Sequence, residues 1–174
     1  MTELILGGAR SGKSAHAEAR AEACGGEVVY VATATAGDAE MAERIARHQA
    51  DRPAHWGLVE EPLRLGAAIR RESAPGRCLL VDCLSLWLVN LLAAEEGAFD
   101  RERAELLAAL GEAAGPVILV SNEVGWGVVP LGEATRRYVD EQGRLNQAVA
   151  AACRRVTLVA AGLPLSLKDE SEPQ

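Results

Sequence analysis

Aromatic side chains are scarce in this sequence: its 174 residues include only three Trp, two Tyr and one Phe. Because 49% of the residues are nevertheless hydrophobic, the core has to be built almost entirely from Leu, Val, Ile and Ala. The length fits one domain and allows a substantial core. We therefore expect a single domain with an aliphatic core.

Positive charge and long apolar runs are also lacking. The formal net charge is −7, and no basic stripe is present that could neutralise the phosphates of a nucleic acid. The longest nearly apolar stretch, residues 84–94, is too short to span a bilayer, and no basic segment followed by an apolar one opens the chain. The sequence predicts a soluble, cytoplasmic protein with no nucleic-acid partner and no membrane span.

The cysteines and histidines form no metal or disulfide pattern. The four cysteines, Cys24, Cys78, Cys83 and Cys153, include no C-x-x-C pair, and the three histidines form no group with metal-ligand spacing. Two of the cysteines lie inside apolar runs. We expect small buried hydrophobic residues in a reducing cytosol rather than a disulfide framework or a metal set.

Short aliphatic runs alternate with helical patterns along the chain. The candidate strands are Thr2–Leu6, Val28–Ala32, Cys78–Asp82, Val117–Ser121 and Val156–Ala160. Helices are predicted at about 13–24, 38–51, 62–73, 84–94, 100–113 and 131–154, the last broken near Gly143. Nearly continuous apolar strands are typical of parallel strands covered on both faces. The alternation predicts a three-layer α/β fold with a mostly parallel central sheet, in one domain over residues 1–168, followed by a flexible tail at 169–174.

Residues 7–14 read GGARSGKS, a full match to the phosphate-binding loop pattern G-x-x-x-x-G-K-[ST]. The loop consists of Gly7, Gly8, Ala9, Arg10, Ser11, Gly12, Lys13 and Ser14. An apolar run precedes it and strong helix formers follow, an arrangement that turns backbone N–H groups toward an anion. In such a loop the Lys13 ammonium lies near the β- and γ-phosphates and the Ser14 hydroxyl binds Mg²⁺. A chance glycine turn is the alternative, but both flanks favour a site for a nucleoside triphosphate.

A phosphate-binding loop also requires a carboxylate at the end of a neighbouring strand, which holds Mg²⁺ directly or through water. Asp82 follows four apolar residues and stands where the third candidate strand should end. The alternative is that Asp82 caps the helix that begins near Leu84, a role that Asp fills well. The two roles can coexist, and we expect Asp82 to contribute to both nucleotide and Mg²⁺ binding.

The missing motifs narrow the class of phosphate-loop protein. The D-x-x-G motif of switch GTPases is absent, since the residues from Asp82 onward read DCLS. The nearest counterpart of the N-K-x-D guanine motif, at residues 121–125, reads SNEVG and lacks both Lys and Asp. Among phosphate-loop proteins, small-molecule kinases and nucleotidyltransferases remain as the candidate classes.

The segment that follows the second strand carries a histidine on a predicted amphipathic helix. Met41, Ile45 and His48 fall at i, i+4 and i+7, with Arg44 and Arg52 beside His48. A lone histidine on such a face is commonly a boundary residue. The nearby arginines favour a catalytic role, because guanidinium groups bind phosphate oxygens.

In four blocks the sequence resembles the bifunctional adenosylcobinamide kinase/adenosylcobinamide-phosphate guanylyltransferases of cobalamin biosynthesis, and the similarity runs to about Lys168. The blocks are GGARSGKS at 7–14; MAERIARHQADRPAHW at 41–56 together with VEEP at 59–62; SNEVGWGVVP at 121–130; and GRLNQ at 143–147 together with VAAGLPLSLK at 159–168. The family commonly has Thr where this chain has Ser121, a change that keeps the hydroxyl.

The resemblance implies two reactions on one polypeptide. A nucleoside triphosphate, ATP or GTP, phosphorylates the aminopropanol hydroxyl of adenosylcobinamide. GMP from GTP is then transferred to the product, giving adenosylcobinamide-GDP, and is carried on the histidine that matches His48. Neutral imidazole is nucleophilic at physiological pH, which suits this relay. The resemblance also implies a homotrimer, and the fold expected is closer to the RecA-like phosphate-loop branch than to adenylate kinase.

The resemblance further implies that a set of residues contacts the guanine nucleotide. These are Thr33, Ala34 and Thr35 after the second strand, Gln49, Ala50, Asp51 and Arg52 after His48, and Glu60 of the VEEP block. The carboxyl ends of strands are where α/β folds place ligands. For Glu60 and Glu61 the alternative is a solvated helix start before Pro62.

Other residues and functions stay open. Asn122, Glu123 and Gly125 have no assigned role; Trp56 or Trp126 could contact the corrinoid or another subunit, while Trp87 is expected in the core. The alternatives for the whole chain are a kinase of another small metabolite and a non-enzymatic NTP-binding regulator.

Overall fold

A computed structural model describes residues 1–35, 43 and 53–170. Its strands are β1 (Thr2–Gly7), β2 (Glu27–Ala32), β3 (Gly57–Glu60), β4 (Arg77–Asp82), β5 (Val117–Asn122), β6 (Arg155–Ala160) and β7 (Leu163–Asp169). Its helices are α1 (Lys13–Glu22), α2 (Leu65–Glu72), α3 (Leu84–Ala93), α4 (Ala98–Glu112) and α5 (Glu133–Ala152). All five predicted strands are therefore present, each within one residue of its predicted ends. The predicted helix at 38–51 lies outside the described residues apart from Glu43.

The strands form one seven-stranded sheet in the order β3-β2-β4-β5-β1-β6-β7. Every neighbouring pair is parallel except β6 and β7, which run antiparallel. The described helices lie on both faces. Ala17 and Ala21 of α1 pack with Ile5 and Leu80 on one face, whereas the larger core cluster joins the opposite face of the sheet to the remaining helices. These layers confirm the predicted three-layer α/β fold.

Two edge strands were missed in the sequence. Strand β3 has only four residues, and its alternating exposure leaves little apolar signal. Strand β7 pairs with β6 through a two-residue turn at Ala161 and Gly162, whose φ angles of 52° and 79° suit a tight hairpin. Pro164 is tolerated in β7 because an edge strand can dispense with one ladder donor.

Two predicted boundaries are wrong. Helix α5 runs without a break from Glu133 to Ala152, so Gly143 does not interrupt it; packing of its apolar face against the core outweighs the weak helix propensity of one glycine. The tail predicted from residue 169 is wrong for its first two residues, since Asp169 ends β7 and the Glu170 N–H donates to the Arg154 carbonyl at 2.9 Å; residues 171–174 lie outside the described residues. No described helix is both long and apolar enough to cross a membrane.

Candidate functional site: a nucleotide-binding loop at the carboxyl edge of the sheet

The predicted phosphate-binding loop leaves the end of β1 and enters α1 at Lys13. Gly12 has a φ of 93° and precedes the helix directly, so a side chain at this position would be strained. The Ser11 N–H donates to the Gly8 carbonyl at 3.2 Å, and the Lys13 Nζ donates to the same carbonyl at 3.3 Å. The Lys13 side chain therefore lies across the backbone of the loop, beside the N-terminus of α1. A helix N-terminus favours phosphate binding.

Two other turns support this loop. The Gly162 N–H of the β6–β7 hairpin donates to the Ser11 carbonyl at 2.8 Å, and the Glu123 N–H after β5 donates to the Gly7 carbonyl at 3.1 Å. A Cβ atom on Gly12 would lie 3.2 Å from the Gly162 Cα. Sequence reasoning missed Gly162, although an Ala-Gly pair between two alternating runs is a hairpin signal.

The parallel register brings the predicted residues to one edge of the sheet. Gly7 pairs with Asn122, Val120 pairs with Asp82, and Ala32 pairs with both Asp82 and Glu60. The sequence led us to expect Asp82 at the end of a strand next to β1. In the structure β5 lies between β1 and β4, so the strand that carries Asp82 is not a neighbour of β1. This separation of β4 from β1 follows from the order of the strands in the sheet, which composition and periodicity do not encode.

Asp82 carries a carboxylate that no described residue hydrogen-bonds. The N-cap of α3 is Cys83 rather than Asp82, and no side chain caps that helix. The capping alternative for Asp82 is therefore wrong, and the carboxylate is available to a ligand.

Thr33 joins the end of β2 to the end of β4. It is fully buried, its hydroxyl donates to the Cys83 carbonyl at 2.8 Å, and it accepts from the Cys83 N–H at 2.9 Å. Asn90 donates from Nδ2 to the Thr33 carbonyl at 2.8 Å. These bonds fix the backbone that presents Asp82, so the side chain of Thr33 has a structural role, and nucleotide contact at this position stays a prediction.

The cysteine beside the site is not an alternative nucleophile. Burial, followed by the neighbouring Asp82 carboxylate, raises the pKa of the Cys83 thiol to about 11, although hydrogen bonds from the backbone of Leu86 and Ser85 and the Lys13 ammonium oppose the shift. A thiol that stays protonated at neutral pH is a poor nucleophile. Cys78 and Cys153 are likewise buried, as predicted.

The other predicted nucleotide contacts are only partly within the described chain. The Thr35 hydroxyl is exposed and donates to the Asn90 Oδ1 at 3.2 Å, Ala34 lies beside it, and Glu60 is exposed at the end of β3. Glu61 instead accepts from the N–H groups of Leu63 at 3.1 Å and Arg64 at 2.8 Å, just before α2. Residues 48–52, with His48 and the four positions after it, lie outside the described residues.

The three tryptophans have different surroundings. Trp87 is fully buried, as predicted, and donates from Nε1 to the Leu63 carbonyl at 2.8 Å. Trp56 is 8% exposed and packs in the core cluster beneath α1, which argues against the corrinoid or subunit contact considered for it. Trp126 is 78% exposed in the loop after β5.

The described part of the chain contains no group of three His, Cys, Asp or Glu side chains that could hold a metal ion. The oxygen donors at the loop are the Ser14 hydroxyl at the start of α1 and the Asp82 carboxylate at the end of β4. This donor set fits Mg²⁺, which takes one or two protein oxygens and completes its shell with water and substrate phosphates.

Comparisons with known proteins agree with this geometry. A family model described as cobinamide kinase / cobinamide phosphate guanyltransferase matches residues 3–167. The bifunctional adenosylcobalamin biosynthesis protein CobP of Pseudomonas aeruginosa is 61% identical over 171 residues, covering 98% of this chain and 99% of the relative. The bifunctional adenosylcobalamin biosynthesis protein CobU of Salmonella typhimurium is 40% identical over 182 residues, covering 97% of this chain and 100% of the relative.

A solved structure shows the same architecture at low identity. The RadB recombinase structure superimposes with a TM-score of 0.56 and 14% identity, covering 99% of this chain and 83% of that chain. This likeness concerns the fold alone, and it confirms the expected RecA-like branch of the P-loop NTPase fold. With the family model matching almost the whole sequence, the chain belongs to the cobinamide kinase / cobinamide phosphate guanyltransferase family.

Proposed function

We propose that this protein phosphorylates the aminopropanol hydroxyl of adenosylcobinamide with a nucleoside triphosphate and then transfers GMP from GTP to the product, giving adenosylcobinamide-GDP. The observation that carries the proposal is the phosphate-binding loop, residues 7–14, built at the same sheet edge as the Asp82 carboxylate, which no described residue hydrogen-bonds, in a chain of this family. ATP and GTP are both candidate phosphoryl donors.

In the kinase reaction the substrate hydroxyl oxygen forms a bond to the γ-phosphorus while the bond to the β–γ bridging oxygen breaks. The nucleoside diphosphate leaves with that electron pair, and the hydroxyl proton passes to solvent. The loop N–H groups and Lys13 bind the β- and γ-phosphate oxygens and stabilise the charge that moves toward the leaving group. Bound Mg²⁺ would neutralise phosphate charge, and Ser14 and Asp82 would hold it.

In the second reaction His48 serves as the covalent carrier. A ring nitrogen of the neutral imidazole attacks the α-phosphorus of GTP, and pyrophosphate leaves. The phosphate oxygen of adenosylcobinamide phosphate then attacks the same phosphorus, and the P–N bond breaks to release the imidazole. Thr35, Glu60 and residues 49–52 are proposed to bind the guanine nucleotide during this transfer. The assignment of His48 rests on its motif in the sequence and on family membership.

The test is incubation with α-labelled GTP and Mg²⁺, followed by mass measurement of the intact chain. The wild-type protein should gain one GMP that is lost in acid and kept in alkali, because a P–N bond has that stability and a phosphate ester does not. Adduct formation should decline toward acid pH, since protonation of His48 removes the attacking lone pair.

Two variants separate the activities. His48→Ala should still phosphorylate adenosylcobinamide but form neither the GMP adduct nor adenosylcobinamide-GDP. Lys13→Ala should fold normally and lose at least several hundred-fold in phosphorylation rate, on the order of 3–4 kcal/mol of transition-state stabilisation. A label on another residue, or undiminished guanylyl transfer by the His48 variant, would refute the relay. Absence of any phosphorylation by the wild type would favour a nucleotide-binding regulator instead.

A further inference from the structure

One side chain of α3, that of Asn90, joins the segments that follow β2 and β3. Its Nδ2 donates to the Thr33 carbonyl after β2 at 2.8 Å and to the Pro62 carbonyl after β3 at 3.1 Å. Its Oδ1 accepts from the Thr35 hydroxyl at 3.2 Å. The donors and the acceptor of this amide are therefore all used, and they are used on two segments that are distant in the chain.

Further hydrogen bonds hold the same two segments to each other and to α3. The Glu61 N–H donates to the Ala32 carbonyl at 2.9 Å, and the Trp87 Nε1 donates to the Leu63 carbonyl at 2.8 Å. Residues three apart in a helix share one face, so Trp87 and Asn90 act from the same face of α3. This face fixes the position of the segment after β3 relative to the segment after β2.

These internal bonds decide which groups the two segments offer to a ligand. The hydroxyls of Thr33 and Thr35 are both hydrogen-bonded within the chain. In contrast, no described residue accepts from the backbone N–H groups of Ala34 and Thr35. Glu60 is exposed, and no described residue hydrogen-bonds its carboxylate. The segment after β2 thus offers backbone donors and the segment after β3 offers a carboxylate acceptor, at the sheet edge where α/β folds bind ligands.

This combination of donors and acceptor fits the edge of a guanine base. Guanine presents the O6 acceptor beside two donors, the N1–H and the 2-amino group. Backbone N–H groups can donate to O6 while a carboxylate accepts from N1–H and the amino group. Adenine presents the reverse order, with an amino donor in place of O6 and an acceptor at N1, so the same groups would face like groups. Discrimination therefore requires both segments at one fixed spacing.

We propose that Asn90 is a positioning residue for guanine recognition, which holds the backbone donors after β2 and the Glu60 carboxylate at the spacing of one guanine edge. This inference rests on the guanine nucleotide binding of the proposed function. Strand β4, with Asp82 at its end, lies between β2 and the strands β5 and β1. Asn90 therefore acts on the side of Asp82 away from the phosphate-binding loop. A segment that shifts leaves a polar group of the base unpaired, which lowers affinity for the matching base.

The test compares the dissociation constants of α,β-methylene GTP and α,β-methylene ATP, measured by calorimetry with Mg²⁺. These analogues bind without transferring a nucleotidyl group. Asn90→Ala should weaken binding of the GTP analogue about tenfold, the size of one lost hydrogen bond, and binding of the ATP analogue less than about twofold. Asn90→Asp keeps the shape but places an oxygen against the Thr33 and Pro62 carbonyls, so it should weaken the GTP analogue at least as much.

A purely structural role of Asn90 would lower the thermal midpoint of both variants and leave the ratio of the two dissociation constants at its wild-type value; that result would overturn the proposal. Ser73→Ala is the matched control. The Ser73 hydroxyl accepts from the backbone N–H groups of Ala114 at 2.9 Å and Gly115 at 3.2 Å, at the opposite edge of the sheet. Its loss should lower the midpoint without changing the ratio.

A double variant tests whether Asn90 acts through Glu60. Asn90→Ala should weaken binding of the GTP analogue less in a Glu60→Ala background than in the wild type, because the group that Asn90 positions is already missing. An equal loss in both backgrounds would contradict the positioning role.

The binding measurements need no adenosylcobinamide, so the inference and the proposed function can fail separately. If GTP-analogue binding depends on Asn90 as expected while the wild type makes no adenosylcobinamide phosphate, the proposed function is wrong and the positioning role stands. If the wild type carries out both reactions and Asn90→Ala keeps the wild-type ratio of dissociation constants, the positioning role alone is wrong.

Discussion

Single residues at this site divide into those that hold the backbone and those left free for ligands. The Thr33 hydroxyl hydrogen-bonds the backbone of Cys83, and the Ser85 hydroxyl accepts from the backbone N–H of Asn122. Each hydroxyl thus holds the backbone at a neighbouring strand end. Asp82 has a carboxylate that no described residue hydrogen-bonds, and the buried Asn122 Oδ1 accepts no hydrogen bond from a described residue. The residues with groups left free for a ligand, Asp82 and Asn122, therefore lie on backbone that Thr33 and Ser85 hold in place.

This division predicts the effect of Asp82→Asn. The substitution removes the negative charge and preserves the shape, so the kinase rate should fall by about 100-fold and the Mg²⁺ concentration for half-maximal rate should rise. The thermal midpoint should change little, because the carboxylate makes no hydrogen bond to a described residue. Rates measured over a Mg²⁺ titration, beside a thermal melt, check both statements.

Asp100→Asn is the control for Asp82→Asn. Asp100 lies on α4 and pairs with Arg103 at 3.1 Å on the surface, so its loss should leave the Mg²⁺ dependence unchanged. A melting change in Asp82→Asn without any change in Mg²⁺ dependence would contradict the metal role.

At the scale of elements, the packing of α2 against α4 depends on one glycine. A Cβ atom on Gly66 would lie 2.6 Å from the Glu105 carbonyl oxygen and 2.9 Å from the Leu106 nitrogen, both backbone atoms of α4. The two helices therefore approach more closely than any side chain at position 66 would permit. In α5, by contrast, a Cβ atom on Gly143 would meet no atom within 4 Å.

The two glycines should respond in opposite directions to alanine. Gly66→Ala should lower the free energy of unfolding by about 1–3 kcal/mol, because the helices must move apart. Gly143→Ala should raise it by about 0.5–1 kcal/mol, since alanine favours the helix and has room there. Urea unfolding of both variants measures the differences. If Gly143→Ala instead lowered the free energy of unfolding, position 143 would require a glycine for a reason that the contacts within this single chain do not show.

At the scale of the whole molecule, apolar surface remains exposed on the β7 edge of the sheet. Leu163, Leu165 and Leu167 alternate along β7 and are each more than half exposed. Leu163 and Leu165 pair with Ala160 and Leu158 and share one face of the strand, and Leu167 follows where the β6–β7 register shifts, so the three leucines form an exposed apolar stripe along β7. An exposed apolar stripe of this kind marks an interaction surface.

We expect this stripe to contribute to the homotrimer that the family resemblance implies. Sedimentation equilibrium should give three times the 18.4 kDa chain mass for the wild type, and Leu165→Asp should give a smaller species. Leu58→Asp is the control, because Leu58 is an exposed leucine on β3, at the opposite edge of the sheet. A wild-type monomer would refute the trimer, and an unchanged mass for Leu165→Asp would exclude the stripe as the interface.

The sequence by itself determined the architecture and the chemistry of the loop. Buried parallel strands need continuous aliphatic runs, and phosphate binding needs glycines, Lys13 and Ser14 in fixed order, so β1, β2, β4, β5, β6 and residues 7–14 could be read from local patterns. The edge strand β3 was missed because it is short and half exposed, and β7 was missed because Pro164 interrupts its alternating leucines.

Only the tertiary structure decided which distant residues meet. That β5 separates Asp82 from β1, that Thr33 fastens the β4 end, and that Asn146 of α5 holds Asn122 beside Gly7 all depend on strand order and register. These contacts join residues far apart in the chain, and a local pattern of hydrophobicity or charge carries no record of such pairings. The buried Asn122 Oδ1 without a described partner could be identified only after its neighbours were in place, because lacking a partner is a property of the surroundings rather than of the residue.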